Sequence, residues 1–387
     1  MFQIATLNKI SRKGTSHFTD QYAITDAVEK ANGILVRSHD MHSIEFSDNL
    51  LAIARAGAGV NNIPIEHCSE KGIVVFNTPG ANANAVKELV LTGLLLAARN
   101  IPDAVSWTKT LSGDIGKAVE KNKSQFAGRE IQGKTLGVIG LGAIGVMVAN
   151  ACEMLGMKVI GYDPYISLHS AHALSNTIPV VTNLDALLPK CDYLTIHVPA
   201  MEATKGMIDE ARFKQMKNGV CFLNFARNTL VNEDDLLAAI EAGKVKKYVT
   251  DFPNEKVLYR SGVICLPHLG ASTQEAEENC AQMAVDQMMD FLENGNITNS
   301  VNYPACNLGV CESKARILVL NRNIPAMLGK ITGILADSNI NISDLSNRSK
   351  GDYACTLIDV DSEVDEMELK KSLAVDGIVS VRVIPGK

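Results

Sequence analysis

The chain has 387 residues, enough for two or three hydrophobic cores. Its 46% apolar and 21% charged residues exclude a disordered or collagenous chain. A net charge of −6 without any long Lys/Arg run excludes an electrostatic footprint for nucleic acid.

No run of about 18 apolar residues occurs, and residues 1–12 lack the charged-then-apolar pattern of a secretory signal, so a cytoplasmic protein with no membrane partner is expected. The nine cysteines are odd in number and include no CxxC pair. They read as buried, reduced thiols, with no metal site.

In chain order, the first segment alternates short apolar strands at 34–36, 51–54 and 73–76 with polar or glycine-rich turns. An amphipathic helix follows at 85–99, with Pro102 marking its end. From Thr135 the alternation becomes regular, with strands at 136–139, 158–162, 193–198, 220–225, 248–250 and 263–266. Helices are expected between them at 144–155, 184–188, 209–216 and 233–242, and a closing helix at 274–292 ends at Asn294-Gly295-Asn296. Strands separated by helices predict a parallel, doubly wound α/β sheet.

Composition shifts at Asn302-Tyr303-Pro304, and the rest reads as strand 317–320, helix 327–337, strands 342–346 and 354–359, helix 365–373 and strand 379–384. That βαββαβ order is ferredoxin-like. The C-terminal part is expected to form its own domain at 315–387, joined by a linker at 305–314.

Gly140-Leu141-Gly142-Ala143-Ile144-Gly145 follows a predicted strand and opens a helix, the context in which GxGxxG carries meaning. Its glycines allow a tight turn, close approach to a pyrophosphate and close helix–strand packing, and the helix N-terminus attracts the anion. Asp163 ends the next strand, where a carboxylate accepts from ribose hydroxyls and repels a 2′-phosphate, so NAD is expected over NADP. Arg227, His268 and the pair Asp251 and Glu255 follow later strands. A guanidinium can clamp a carboxylate, an imidazole can exchange a proton with a hydroxyl, and a carboxylate beside the imidazole orients it.

Gly133-Lys134-Thr135, His197-Val198-Pro199, Asn224 to Arg227, and Pro267 to Thr273 together resemble the D-isomer-specific 2-hydroxyacid dehydrogenases. The resemblance implies that Arg227 orients the substrate, His268 is the acid/base and Glu255 pairs with it, although the stretch before Glu255 is shifted by about one position from the family's pattern. It also implies a discontinuous substrate-binding domain at 1–84 and 279–304 and a Rossmann NAD-binding domain at 85–278 with a cofactor cleft between them, and cofactor contacts from His197, Val198, Pro199, Thr204, Ala226, Arg227, Asp251, His268 and Gly270. Within the family, Val36-Arg37-Ser38, Arg55 to Asn62 and Asn77-Thr78-Pro79 are similar to members acting on 3-phospho-D-glycerate, at the first step of phosphorylated serine biosynthesis. Asn61 or Asn62 stands where an Asp is usual.

Arg37 and the amides of Ala58 and Gly59 are the expected substrate contacts, with Asn82 and Lys9 added as phosphate donors from polar loops. The C-terminal segment resembles an ACT domain, which implies L-serine as effector held by Asn323 and Asn341. Two departures stand out: Ala326 replaces a turn glycine, and Asn321 stands where a His is frequent. The region from the 85–99 helix to Trp107 resembles the family's dimer interface, so a homodimer or homotetramer is expected. The alternatives are a glyoxylate/hydroxypyruvate reductase, and a non-catalytic NAD-sensing scaffold like the corepressors of this fold.

Overall fold

Short β-branched runs in the first segment become a parallel sheet in the computed structural model, which describes residues 1–386. Its strands are β1 (Phe2–Leu7), β2 (Tyr22–Thr25), β3 (Gly33–Val36), β4 (Ala52–Arg55) and β5 (Val74–Phe76), in the order β2-β1-β3-β4-β5. β3 and β5 are buried along their whole length, as parallel strands covered on both faces must be. β1 and β2 escape the sequence reading because burial reaches only Ile4 and Ala5 of β1 and Tyr22 of β2, leaving no apolar run to recognise. The chain divides into two compact units, Met1–Ala81 with Glu277–Lys387, and Asn82–Ala276.

The second unit holds a seven-stranded parallel sheet: β6 (Thr135–Ile139), β7 (Lys158–Tyr162), β8 (Val180–Val181), β9 (Tyr193–Ile196), β10 (Val220–Asn224), β11 (Val245–Thr250) and β12 (Val263–Cys265). The order β12-β11-β10-β9-β6-β7-β8 reverses direction between β6 and β9, the switch point where such sheets bind ligands beyond their carboxyl ends. One core packs Ala83–Arg99 and Ala143–Met154 against the sheet, and another fills its other side from Leu184 to Tyr248.

Local details differ from the sequence reading. Pro102 does not end the first long helix; Asn100 does, at φ +50°, and Pro102 sits in the first turn of a second helix, Ile101–Thr108, where its missing N–H costs nothing. The helix expected at 184–188 is two short 3₁₀ turns, Leu184–Ala186 and Leu188–Lys190, the second carrying Pro189 in its first turn. Helices Ile115–Asn122 and Leu168–Ala173 have no counterpart in that reading. No single helix among the described residues is long and apolar enough to cross a membrane.

Within the first unit, the helix Gln274–Asn294 lays Ala284, Val285, Met288, Phe291 and Leu292 on the core formed by Ile4, Leu35, Ala54 and Phe76. The C-terminal segment adds β13 (Ala315–Arg322), β14 (Ile342–Lys350), β15 (Tyr353–Val360) and β16 (Ile378–Pro385), antiparallel in the order β14-β15-β13-β16. Strand alternation serves both faces. Ile317, Val319 and Ile358 join the core containing Ile331, Leu335 and Leu369 of the helices Met327–Asp337 and Glu366–Ser372, while Leu318, Leu320 and Leu357 join the core of the long helix.

Arg316, fully buried, pairs with Asp359 through Nη2 at 2.8 Å and donates to the carbonyls of Asn294 and Gly309. This ties the sheet to the helix end, and removing one partner would strand a buried charge at a cost of about 3–5 kcal/mol. The 305–314 segment is no loose tether, since Cys306 and Cys311 are buried and Ile297 bridges Cys306. All nine cysteines are free, and all but Cys265 are buried.

Candidate active site

At the end of β6, Gly140 takes φ +92°, which favours glycine, and a Cβ on Gly145 would fall 1.9 Å from the Gly140 carbonyl oxygen. Both glycines are therefore demanded by the protein itself. Gly142 is different: a Cβ there meets nothing within 4 Å. Its lack of a side chain leaves open space at the start of the Ala143–Met154 helix, where the first-turn amides of Ala143, Ile144 and Gly145 have no intrahelical acceptor. That cradle fits a dinucleotide pyrophosphate.

Asp163 lies beside the loop, its Oδ2 accepting from the Leu141 amide at 2.9 Å and its Oδ1 from Tyr165 at 2.8 Å. Two of roughly four carboxylate lone-pair sites are thus used, and the rest remain for ribose hydroxyls. Gly140 also packs on the His197 carbonyl and the Val198 side chain. The His197 ring bonds Thr195 Oγ1 through Nε2 at 2.9 Å, Nδ1 has no partner, and burial pushes its pKa down to about 3. The ring is therefore neutral, and the His197 carbonyl lines the loop. Thr204 closes the turn after Pro199 by donating to the Pro199 carbonyl at 2.7 Å.

The turn after β10 is shaped by Asn224, which is buried, donates to the Arg227 carbonyl at 2.8 Å and accepts from the Ala226 amide at 3.1 Å. The Arg227 side chain is exposed and lies 5.8 Å from the Phe252 ring centroid. The His268 ring, also exposed, lies 4.7 Å from that centroid. Phe252 is thus a common platform for the guanidinium and the imidazole.

Asp251 is 1% exposed, and neither of its carboxylate oxygens has a hydrogen-bond partner. Burial pushes its pKa up, opposed by His268, by the nearby amides of Asp251 and Gly270, and by Arg227. A Cβ on Gly270 would stand 3.5 Å from the Asp251 Oδ2.

The structure brings Arg227, His268, Asp251 and Gly270 together. Pro253 is followed by Asn254, whose Oδ1 accepts from the amides of Lys256 and Val257, and this turn leaves the Glu255 side chain exposed. Asp251 is one carboxylate near enough to His268 to act on it electrostatically.

In the first unit, Asn8 at φ +84° accepts the amides of Arg37, Ser38 and His39 on its Oδ1. Arg55 donates through Nε to the Arg37 carbonyl at 2.9 Å and through Nη1 to the Gly59 carbonyl, while Asn77 donates to the Ala58 carbonyl at 2.6 Å. With their carbonyls held, Ala58 and Gly59 keep amides that no protein backbone accepts, as an anion cradle requires. Lys9 is exposed on the same loop as Asn8. Asn82 stands at the N-terminus of the Ala83–Arg99 helix and opens the second unit, so it does not lie in the first unit's loops.

Asn8, Arg55, Asn77 and Phe252 were not among the candidates. Arg55 and Asn77 had a signal, each opening a stretch that carries the resemblance, Arg55 to Asn62 and Asn77-Thr78-Pro79.

In the C-terminal segment Asn323 donates to the Gly351 carbonyl at 3.0 Å and Asn341 to Asp361 Oδ2 at 2.6 Å, and both residues are exposed. Asn321 is buried, with its Oδ1 unpartnered. No cluster of three or more potential metal ligands exists among the described residues.

Residues 91–270 match the family described as D-isomer specific 2-hydroxyacid dehydrogenase, NAD binding domain. The chain is 32% identical over 369 residues to the D-3-phosphoglycerate dehydrogenase of Haemophilus influenzae, covering 91% of this chain and 86% of that one. It is 36% identical to the enzyme of the same name from Archaeoglobus fulgidus, covering 79% of this chain but 57% of the longer relative. Among solved structures it is similar to the NAD+-bound 3-phosphoglycerate dehydrogenase of Entamoeba histolytica, with a TM-score of 0.60, 26% identity, and coverage of 78% of this chain and 98% of that one.

Proposed function

Because this chain belongs to the D-isomer-specific 2-hydroxyacid dehydrogenases, we propose that it oxidises 3-phospho-D-glycerate to 3-phosphohydroxypyruvate with NAD, the first step of phosphorylated L-serine biosynthesis. The observation that carries the reading is the grouping of Arg227 and His268 on the Phe252 ring, above the buried Asp251.

The glycine loop with the first-turn amides of Ala143, Ile144 and Gly145 holds the pyrophosphate, and Asp163 holds the adenine ribose. NAD, when bound, supplies the acceptor for the hydride leaving C2 of the substrate. The chain's own residues do the rest. The Arg227 guanidinium grips the substrate carboxylate and stabilises the negative charge that grows on the C2 oxygen as the C–O bond gains double-bond character. The neutral His268 imidazole takes the C2 hydroxyl proton on a ring nitrogen. Asp251 favours the imidazolium that results. In the first unit, Arg37, Lys9 and the amides of Ala58 and Gly59 take the anionic ends of the substrate. Glu255, exposed as Arg227 and His268 are, is the carboxylate proposed to pair with the imidazole and orient it.

A steady-state assay with NAD on 3-phospho-D-glycerate, D-glycerate and D-lactate, and with NADH on hydroxypyruvate, tests this. The phosphorylated acid should show the highest kcat/KM, and a preference for any of the others would reject the assignment.

The βαββαβ order and antiparallel sheet of the C-terminal segment support an ACT-like regulatory role, with Asn323 and Asn341 binding L-serine after releasing Gly351 and Asp361. Such pairing of donors with an amino acid would discriminate against analogues that leave them unsatisfied. Millimolar L-serine should lower the rate, and an unchanged rate removes the effector. The working form is a cytoplasmic homodimer or homotetramer, and a monomer in sedimentation would contradict that.

A further inference from the structure

The Arg37 guanidinium is paired within the first unit: its Nη2 lies 2.6 Å from Glu277 Oε1, and the two side chains are 42% and 45% exposed. The backbone of Arg37 is held by other means, its amide by Asn8 Oδ1 and its carbonyl by Arg55 Nε. The ion pair therefore acts on the side chain alone.

A purely structural strut would be redundant here. The strand β3, which runs directly into Arg37, is already joined to the Gln274–Asn294 helix through the core: Leu35 shares that core with Ala284, Val285 and Met288, and a Cβ on Gly33 would fall 2.6 Å from Met288 Sδ. Arg37–Glu277 adds little to that joint, because a half-exposed pair is weak.

We propose that Glu277 is an affinity-setting residue for the phosphorylated acid: it holds the Arg37 guanidinium in a neutralised, oriented state from which the substrate phosphate must displace it, and acids without a phosphate are untouched by it. This rests on the reading of Arg37 as a substrate contact. Two electrostatic effects follow from one carboxylate. It occupies the donors that the substrate needs, and it repels the substrate's charge, twice as strongly for a phosphate dianion as for a single negative charge at equal distance. A phosphate nevertheless wins the exchange, because its oxygens accept the guanidinium fork in bidentate fashion with higher charge.

Substituting Glu277→Gln keeps size and hydrogen bonding while removing the charge. At low ionic strength, E277Q should lower KM for 3-phospho-D-glycerate by roughly threefold to fivefold, the range of an exposed ion pair. kcat and the kcat/KM for D-glycerate should stay at the wild-type level. The gap between E277Q and wild type should close near 1 M salt, where the Debye length is about 3 Å. E277S, with its melting temperature measured beside wild type, serves as the second variant should E277Q fold poorly.

Arg37→Ala run in the same assays separates the two possible failures. If R37A leaves KM for the phosphorylated acid unchanged, the reading of Arg37 as a substrate contact falls and this inference with it. If R37A raises that KM but E277Q leaves it unchanged, raises it, or shifts both substrates alike, the reading stands and Glu277 is only a strut.

Discussion

Two loops of this chain lead into helices and answer the same backbone problem differently. In the loop at 140–145 the left-handed position is Gly140, at φ +92°, and the Gly142 position faces open space. In the loop at 322–326 the left-handed position is Ala326, at φ +69°, and the loop is closed by its own groups. There Asn323 donates its side-chain amide to Gly351 and its backbone amide to Asp352. An L-residue in that region costs roughly 1–2 kcal/mol, a strain the surrounding bonds can absorb. The first loop leaves its donors for a guest, and the second spends them on the protein. The difference separates glycines that a fold needs from glycines that a ligand needs.

Substitution at each position tests that separation, and the largest effect is expected at Gly145. Gly145→Ala places a Cβ 1.9 Å from the Gly140 carbonyl oxygen, so the loop must move. NAD affinity should fall by more than about 100-fold with a clear loss of thermal stability, since overpacking alone costs on the order of 1–3 kcal/mol. Gly142→Ala should leave the melting temperature unchanged while weakening NAD, as read by calorimetric titration. Equal damage to stability from both changes would erase the distinction between the two glycines.

A smaller effect is expected beneath the same loop, at His197. Its folded pKa is depressed from 6.5 to about 3, so the unfolded chain binds the extra proton between those values. Stability from this group is fully present above pH 6.5 and is lost as pH falls toward 3, at up to about 1.4 kcal/mol per pH unit. His197→Gln should flatten that acid slope in urea melts between pH 6.5 and 4, and parallel slopes for the two proteins would argue against a buried neutral ring.

The smallest effect belongs to the second loop. Ala326→Gly relieves the left-handed strain but frees the unfolded chain, leaving a net gain of about 0.5–1 kcal/mol. Thermal melts should rise by roughly 1–3 °C, and a drop would mean that the Ala methyl packs usefully.

Much of this was legible in the chain, and the reason is local. The strands β6, β7, β9 and β10 and the helix Ala143–Met154 are short apolar runs with helical or strand period, and GxGxxG with Asp163 follows from spacing along a single βαβ unit. The parts that were not legible depend on partners distant in sequence. Asn8 reaches amides 29–31 positions away, and Asn77 supports Ala58 from 19 positions away. No motif encodes such contacts. Phe252 looks like a strand-end apolar residue until its ring is seen against both His268 and Arg227. Asp251 shows the converse case: its place after a strand nominated it, but its burial and its electrostatic influence on His268 emerge only in the fold. The break at Asn100 was likewise hidden, because Pro102 is the louder signal and actually starts a helix.

The account depends most on His268 as the group that accepts the hydroxyl proton. The direct measurement is turnover of 3-phospho-D-glycerate by the His268→Asn variant, alongside its NAD affinity. A loss of about 10²–10⁴ in kcat with NAD affinity within a few-fold of wild type is the predicted result. Turnover near the wild-type rate, with the dinucleotide still bound, would contradict it.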